Sequence, residues 1–226
     1  MTALHVSGAG RALRTFGLAP DEIMPLSMER LRRRSPVELP PEPAATVALR
    51  MAYAAGDPDL LRDIVAPADA VHAAHKALQG GAALVCDVAM VAAGVRSAVE
   101  RRGGRVYCAQ DVADLPLSGH HVHSATREAA AESTRTARGL LNLAAHWEGA
   151  VIAIGNAPTA LLVLLDALAD GAPLPAALVA TPCGLVAAEE AKQLLLDTLP
   201  VPSITVRGTC GGSAVAAAAV NACALL

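Results

Sequence analysis

Aromatic residues are almost absent from this sequence, which has one Trp, two Tyr and one Phe among 226 residues. Ala, Leu and Val must therefore fill the core, which suits close packing of helices on a sheet. The chain also lacks the aromatic surfaces on which proteins stack nucleic-acid bases. A net charge of −3 provides no basic field for a phosphate backbone. We expect no nucleic-acid partner.

Closely spaced cysteine pairs and long apolar runs are missing as well. The cysteines are odd in number and scattered, at Cys86, Cys108, Cys183, Cys210 and Cys223. Such a set is typical of reduced thiols in a cytoplasmic protein. The N-terminus shows no signal-peptide pattern, and no apolar run reaches the roughly 18 residues that span a bilayer. The sequence therefore predicts a cytoplasmic protein without membrane association.

The second part of the chain alternates between strand and helix patterns. Five short apolar runs predict strands at Ala83 to Asp87, Arg105 to Cys108, Val151 to Ile154, Ala177 to Thr181 and Ser203 to Val206. Helical segments between strands imply right-handed crossovers and a mainly parallel sheet covered on both faces. We expect one domain over residues 1–226, with an α/β/α core from residue 81. Residues 1–80 are predicted to form an N-terminal arm and a helical appendage.

Helices are predicted from periodicity and from Gly and Pro punctuation. Before the sheet they cover Ile23 to Arg34, Ala44 to Ala55, Leu60 to Val65 and Pro67 to Gln79. Between and after the strands they cover Val91 to Arg101, Ser124 to Leu143, Thr159 to Ala169, Ala187 to Leu196 and Ser213 to Leu225.

Three strand-to-helix turns carry polar or glycine-rich chemistry. They place Asp87 after one strand, Asn156 after another, and the segment 207–213 after the last. Such turns bind ligands because free N–H groups and the helix dipole point into the crevice, and Asn156 and Ser213 are candidate helix caps. The same residue types are also common in ordinary turns. The missing Gly-x-Gly-x-x-Gly spacing and phosphate-binding lysine make nucleotide binding poorly supported.

Charged and imidazole side chains outside the turns have two interpretations each. Arg127 can hold a ligand carboxylate in a fork of hydrogen bonds, or it is a solvated helix residue. The arginines between positions 30 and 34 form either a solvated face or an anion-binding edge. His120, His121 and His123 share a loop, and His72 and His75 lie one helical turn apart. No third ligand accompanies His72 and His75, and we predict no metal site in either group.

Several motifs together resemble the precorrin-8X methylmutase family over nearly the whole chain. They are Arg50-Met51-x-x-x-x-Gly56, Cys86-Asp87-x-x-Met90-Val91, Thr126-Arg127, Ile154 to Leu161, Pro182 to Lys192, and Gly211-Gly212-Ser213 with Asn221. The resemblance implies a methyl shift from C11 to C12 of a corrin-type macrocycle. It also implies a polycarboxylate substrate, no cofactor and a homodimer. The substrate-binding residues implied are Arg50, Asp87, Met90, Thr126, Arg127, Asn156, Gly211, Gly212 and Ser213.

Two departures from the family pattern bear on activity. The family reads Arg-x-Ile-His-x-x-Gly where this chain has Tyr53 at the histidine position, which the resemblance implies is the proton donor. Phenol has an unperturbed pKa of about 10 and is a poorer acid–base group at pH 7 than imidazole. The last loop reads Gly208-Thr209-Cys210-Gly211-Gly212-Ser213, with Cys210 where the family often has Arg or Lys. The chain is therefore an active isomerase using Tyr53, or a divergent homologue that binds a corrinoid without converting it. Tyr53 as a simple packed helix residue is also open.

Overall fold

The computed structural model describes residue 17, residues 19–117 and residues 123–226. The helices in these ranges are α1 (Pro20–Arg34), α2 (Ala44–Ala55), α3 (Ala68–Gln79), α4 (Ala89–Glu100), α5 (Ser124–Ala131), α6 (Arg135–Asn142), α7 (Pro158–Ala169), α8 (Ala188–Thr198) and α9 (Ser213–Leu225). The strands are β1 (Ile64–Val65), β2 (Leu84–Cys86), β3 (Val106–Cys108), β4 (Val151–Ile154), β5 (Ala177–Ala180) and β6 (Ser203–Val206). Short 3₁₀ turns cover Pro58–Arg62, Ala109–Val112 and Ala144–His146.

Within the described ranges the sheet has six strands in the order β1-β6-β5-β4-β2-β3. The five predicted strands are confirmed, and all of them pair in parallel. The sixth strand, β1, was not predicted. It pairs antiparallel to β6, with Ile64 opposite Val206, and covers an edge that would otherwise expose unpaired backbone groups.

Alternate residues of each strand point to opposite faces, and each face carries its own helix layer. In β4, Val151 and Ala153 join a cluster formed with α2, α3, α4 and α9. Ile152 and Ile154 join a second cluster formed with α6, α7 and α8. All four side chains have no exposed area. This arrangement gives the expected three-layer α/β/α architecture.

The N-terminal helices belong to these layers. Val47 and Met51 of α2 are fully buried in the first cluster together with residues of α9. Helix α1 packs on the outside of α2 through Leu31, Leu49 and Ala52. The end of α1 is therefore held against the end of α2, and this contact matters for the position of Tyr53.

Two predicted helices differ in the structure. The segment from Ser124 to Leu143 forms α5 and α6 with a break between them, because Thr134 caps α6 by accepting the N–H of Ala137 at 3.3 Å. The segment from Leu60 to Val65 divides into a 3₁₀ turn and strand β1. There the Asp57 carboxylate accepts the N–H of Asp59, which starts a short turn that ends early enough for β1 to pair with the sheet.

Candidate functional site

Asp87 organises the carboxyl edge of the sheet. Its side chain has no exposed area, and its two oxygens accept backbone N–H groups of Gly155 at 3.1 Å, Asn156 at 2.7 Å and Ala157 at 2.9 Å. Burial raises the pKa of the Asp87 carboxyl, while these three donors lower it in part. The sequence suggested direct substrate binding, but the carboxylate is engaged in fixing the turn between β4 and α7.

The β4–α7 turn packs directly on the start of α9. A Cβ atom on Gly155 would lie 2.7 Å from Ser213 Cα and 2.7 Å from Val91 Cγ2, so only glycine allows this approach. The structure therefore brings together the three turns that the sequence singled out. We refer to the turns around Asp87, Asn156 and residues 207–213 as the turn cluster.

Neither proposed side-chain cap forms in the turn cluster. Ala157 is the N-cap of α7 and Gly212 is the N-cap of α9, and no side-chain hydrogen bond caps either helix. The side chain of Asn156 remains exposed, while Ser213 is the first helical residue of α9 and is only 8% exposed. The Asp87 carboxylate takes the place of a cap for the first of these turns.

The glycine-rich loop before α9 is fixed from the side of β5. The Thr181 carbonyl accepts the N–H of Gly212 at 2.6 Å. Gly211 has a φ of +146°, and a Cβ atom there would lie 2.3 Å from the Thr181 carbonyl oxygen. Glycine is therefore required at this position both for backbone conformation and for space.

A buried lysine completes the support of this loop, and the sequence reasoning gave it no role. Lys192 has no exposed area, and its Nζ donates to the Cys210 carbonyl at 2.6 Å. Burial lowers the pKa of the Lys192 ammonium, and neighbouring anionic groups oppose that effect. A signal was present in the sequence, because Lys192 occupies an apolar helix position between Ala188 and Leu195.

The rim of the turn cluster is apolar and carries thiols. Met90 is 72% exposed, and Leu185 and Val186, in the loop after β5, are 91% and 82% exposed. Cys183 and Cys210 are exposed on adjacent loops. Large apolar side chains clustered at a functional edge indicate a surface that contacts a ligand or another chain.

The remaining cysteines lie inside the fold. Cys86 and Cys108 are opposite each other in the register of β2 and β3, and Cys223 is buried in α9. The Cys86 thiol donates to the Val88 carbonyl at 3.7 Å and the Tyr107 carbonyl at 3.5 Å. The interaction between the two thiols lowers the pKa of Cys108, while the same interaction and burial raise the pKa of Cys86.

Tyr53 lines a separate cavity at the end of α2. The cavity has a volume of about 250 Å³ and is bounded by Ser27, Arg30, Leu31 and Arg34 of α1 and by Gly56 and Pro58 after α2. Tyr53 is 40% exposed, so it is more than a core-packing residue. We refer to this space as the tyrosine cavity. The segment that follows the cavity leads to the carboxyl end of β6, where the N–H of Arg207 donates to the Asp63 carbonyl at 2.8 Å.

Thr126 and Arg127 lie away from the turn cluster in this chain. Thr126 donates its hydroxyl hydrogen to the Asp170 carboxylate at the far end of α7. Thr134, by contrast, contacts Thr159 at the start of that helix. A helix of 12 residues is roughly 18 Å long at 1.5 Å per residue. The sequence expected Arg127 beside the turns, but it lines a different cavity with Ser124 and Glu128.

The other predicted polar residues are also accounted for. Arg50 is half-buried on α2, one turn before Tyr53. Nδ1 of His72 lies 2.6 Å from the Ala68 carbonyl oxygen, and Nδ1 of His75 lies 2.9 Å from the Cys223 carbonyl oxygen. His120 and His121 lie outside the described residues, and His123 is exposed. Among the residues that the structure describes, no three His, Cys, Asp or Glu side chains are grouped to hold a metal ion, and no helix could cross a membrane.

Comparisons with known proteins identify the family. A model of the precorrin-8X methylmutase family matches residues 22–226. A precorrin-8X methylmutase from Pseudomonas aeruginosa is 42% identical over 179 residues, which cover 79% of this chain and 82% of the relative. A cobalt-precorrin-8 methylmutase from Priestia megaterium is 32% identical over 181 residues, covering 80% and 76%.

A solved structure gives the same result at the level of the fold. The precorrin-8X methylmutase from Thermus thermophilus superposes with a TM-score of 0.74 at 28% identity, covering 90% of this chain and 96% of that one. Sequence and fold therefore agree over nearly the full length of the described core, and the chain belongs to the precorrin-8X methylmutase family.

Proposed function

We propose that the chain moves a methyl group from C11 to C12 of a corrin-type macrocycle, giving hydrogenobyrinic acid or, with cobalt present, cobyrinic acid. Family membership over residues 22–226 carries this proposal. The relative from Pseudomonas aeruginosa is named a precorrin-8X methylmutase, and that from Priestia megaterium a cobalt-precorrin-8 methylmutase. The two names differ in cobalt content, so both macrocycles are candidate substrates.

Tyr53 is the proposed acid in this reaction. A methyl shift within one molecule changes no overall oxidation state, so the reaction needs no redox cofactor. What it needs from the protein is a donor that can support charge on the ring while the methyl group moves. The half-exposed hydroxyl of Tyr53 can donate a hydrogen bond from the end of α2 and recover its proton afterwards.

The turn cluster is the proposed contact surface for the macrocycle. Met90, Leu185 and Val186 offer apolar area to the faces of the ring. Asn156 and the glycine loop offer polar groups to its carboxylates. Asp87 supports this surface by fixing the β4–α7 turn. We place Arg127 at a separate contact with the substrate, because its neighbour Thr126 lies at the opposite end of α7 from the turn cluster.

Assembly and location are part of the same proposal. We propose a homodimer in which the partner covers the part of the exposed apolar rim that the macrocycle leaves free. Sedimentation at micromolar concentration should give about twice the chain mass of 22.9 kDa, and a monomer at every accessible concentration would contradict this. We also propose a cytoplasmic location, supported by a scattered, odd set of cysteines.

A second candidate function is favoured by one observation, the tyrosine at the histidine position. A phenol is a weak acid at neutral pH, so the chain could hold a corrinoid as a carrier or regulator without isomerising it. In that case the turn cluster would keep its binding role, and Tyr53 would contribute only a hydrogen bond or a ring contact.

The experiment that separates the two functions is incubation with purified precorrin-8X, followed by its visible spectrum. An isomerase should convert the substrate, and Tyr53→Phe should then slow turnover by about 10²–10⁴-fold through loss of the acid. A binding protein should shift the spectrum without conversion, and Tyr53→His should then introduce some turnover. Wild-type turnover together with a fully active Tyr53→Phe variant would contradict both candidates, since the proton donor would lie elsewhere.

A further inference from the structure

One face of helix α1 carries two arginines where a packed helix normally carries apolar residues. Ser27, Arg30, Leu31 and Arg34 follow the i, i+3, i+4, i+7 spacing of a single face. Leu31 is 8% exposed and packs against α2. Arg30 and Arg34 flank it and line the tyrosine cavity. Arg30 and Arg34 are themselves exposed, and the buried Leu31 on the same face fixes the backbone from which they reach the cavity that Tyr53 also lines.

The neighbouring arginines of α1 behave differently. Arg32 forms an ion pair with Glu42, and Arg33 forms one with Glu29. Within the residues that the structure describes, Arg30 and Arg34 form no ion pair or side-chain hydrogen bond. Ion pairs therefore account for Arg32 and Arg33, while Arg30 and Arg34 are exposed and are available to bind an anion.

The two unpaired arginines carry an energetic cost that a ligand can relieve. Like charges four residues apart on a helix repel each other by a few tenths of a kcal/mol. The helix dipole favours Arg34 in the last turn, but its effect fades for Arg30 one turn earlier. No described residue lining the tyrosine cavity carries a carboxylate. The described lining of the cavity therefore has two positive charges, the Tyr53 hydroxyl and no negative charge, while the Ser27 hydroxyl already donates to the Ile23 carbonyl at 2.7 Å.

We infer that Arg30 and Arg34 bind a side-chain carboxylate of the macrocycle and thereby hold its ring edge against the Tyr53 hydroxyl. This inference rests on the proposed function. A guanidinium donates two parallel hydrogen bonds to a carboxylate, which fixes direction as well as distance. A cavity of about 250 Å³ has room for one carboxylate arm and not for the ring. Arg30 and Arg34 are thus positioning and specificity residues rather than catalytic ones.

The test compares two double variants with the same loss of charge. Arg30→Gln with Arg34→Gln removes the unpaired arginines, and Arg32→Gln with Arg33→Gln removes the ion-paired ones from the same helix. Each full-length protein is titrated with cobyrinic acid and with its amidated analogue, in which the carboxylates are uncharged amides. Visible absorbance reports binding, and thermal unfolding confirms that both variants are folded.

The Arg30/Arg34 variant should bind cobyrinic acid about tenfold or more weakly than wild type, because it loses charge-assisted hydrogen bonds. Its affinity for the amide should change little, and the Arg32/Arg33 variant should resemble wild type. Equal losses in the two variants would overturn the inference and leave the proposed function in place. Binding of neither corrinoid by wild type would instead overturn the proposed function and this inference together.

A last arm distinguishes a carboxylate of the macrocycle from a free oxyanion. Inorganic phosphate is added at millimolar concentration during the cobyrinic acid titration, with ionic strength held constant by chloride. The inference expects only weak competition, because the macrocycle is held by its ring as well as its carboxylate. Strong competition that disappears in the Arg30/Arg34 variant would assign the cavity to a free anion and overturn the substrate assignment.

Discussion

The turn cluster and the tyrosine cavity differ in how their polar groups are used. In the turn cluster, Asp87 accepts three N–H groups, Thr181 accepts one, and Lys192 donates to the loop carbonyl of Cys210. In the tyrosine cavity, Arg30 and Arg34 lack such partners among the described residues. The first region uses its polar groups to hold a shape, and the second leaves charge available for a ligand.

This difference changes how the family motifs are to be interpreted. The matching segments at Gly155 and Gly211 lie where backbone segments approach each other closely, and Asp87 holds one of these turns in place. Their match to the family therefore reports on how the sheet edge is built. The departure at Tyr53 lies in the region with available charge, where we propose that the reaction takes place. Fold and family are best inferred from the turn cluster, and activity from the tyrosine cavity.

The largest effect expected from this comparison is on stability, at Asp87. Replacing Asp87 by Ala leaves buried N–H groups of Gly155 and Ala157 without acceptors. Since a hydrogen bond to a charged group contributes about 1.5–3 kcal/mol, the free energy of unfolding should fall by about 3 kcal/mol or more. Urea unfolding followed by circular dichroism measures this.

The matched control is Asp111→Ala, an exposed carboxylate that follows the neighbouring strand β3. Exposed substitutions of this kind change stability by about 0.5 kcal/mol or less. If Asp87→Ala and Asp111→Ala were equally mild, the turn cluster would not depend on its internal hydrogen bonds, and the contrast with the tyrosine cavity would fail.

A smaller effect is expected in the glycine loop, where two glycines provide a matched pair. Gly208 and Gly211 both have positive φ, at +68° and +146°, but only Gly211 has backbone atoms where a Cβ would be placed. Gly211→Ala should cost about 2 kcal/mol or more through strain and overpacking. Gly208→Ala should cost about 1 kcal/mol through backbone conformation alone.

Urea unfolding of both variants checks this pair, and corrinoid titration shows whether the loop still presents its groups. We expect Gly211→Ala to weaken binding and Gly208→Ala to retain it. Equal costs for the two would mean that the Thr181 carbonyl can move aside, so the loop would be less rigid than its contacts indicate.

The sheet could be predicted from the sequence because its signals are local. The apolar run at Val151–Ile154, the turn at Gly155 and the proline at the start of α7 each act within a few residues. Strand β1 was missed because two residues carry no periodic pattern, and it exists only because β6 offers an open edge. The break before α6 was missed because a threonine cap competes with a continuous helical pattern.

The site was predictable in its members but not in its grouping. The three turns were expected together, since the carboxyl ends of parallel strands share one edge. Arg127 was expected beside these turns, but helix α5, which carries it, lies at the end of α7 away from the turn cluster. The contact between Thr126 and Asp170 in the folded protein reveals this position. The Arg30–Arg34 pair could be seen as a cluster, yet which arginines are ion-paired depends on Glu29 and Glu42 in three dimensions.

The smallest expected effect concerns Lys192. It tests whether burying the Lys192 ammonium in the turn cluster destabilises the folded protein. Lys192→Met keeps the apolar stem and removes the ammonium that donates to the Cys210 carbonyl. The lost hydrogen bond and the relieved burial of charge oppose each other, so stability at pH 7 should change by only about 1 kcal/mol.

The dependence on pH separates these two contributions. Burial lowers the pKa of Lys192 in the folded protein below its ordinary value of 10.5. At pH values between the lowered pKa of Lys192 in the folded protein and its ordinary pKa in the unfolded chain, the unfolded chain binds more protons than the folded one. The folded state therefore gains stability as the pH rises through this range. The free energy of unfolding of wild type, relative to Lys192→Met, should therefore increase from pH 7 towards pH 10.5. A difference that stays flat or falls with pH would show that Lys192 is buried at no cost, and the turn cluster would then differ from the tyrosine cavity in geometry alone.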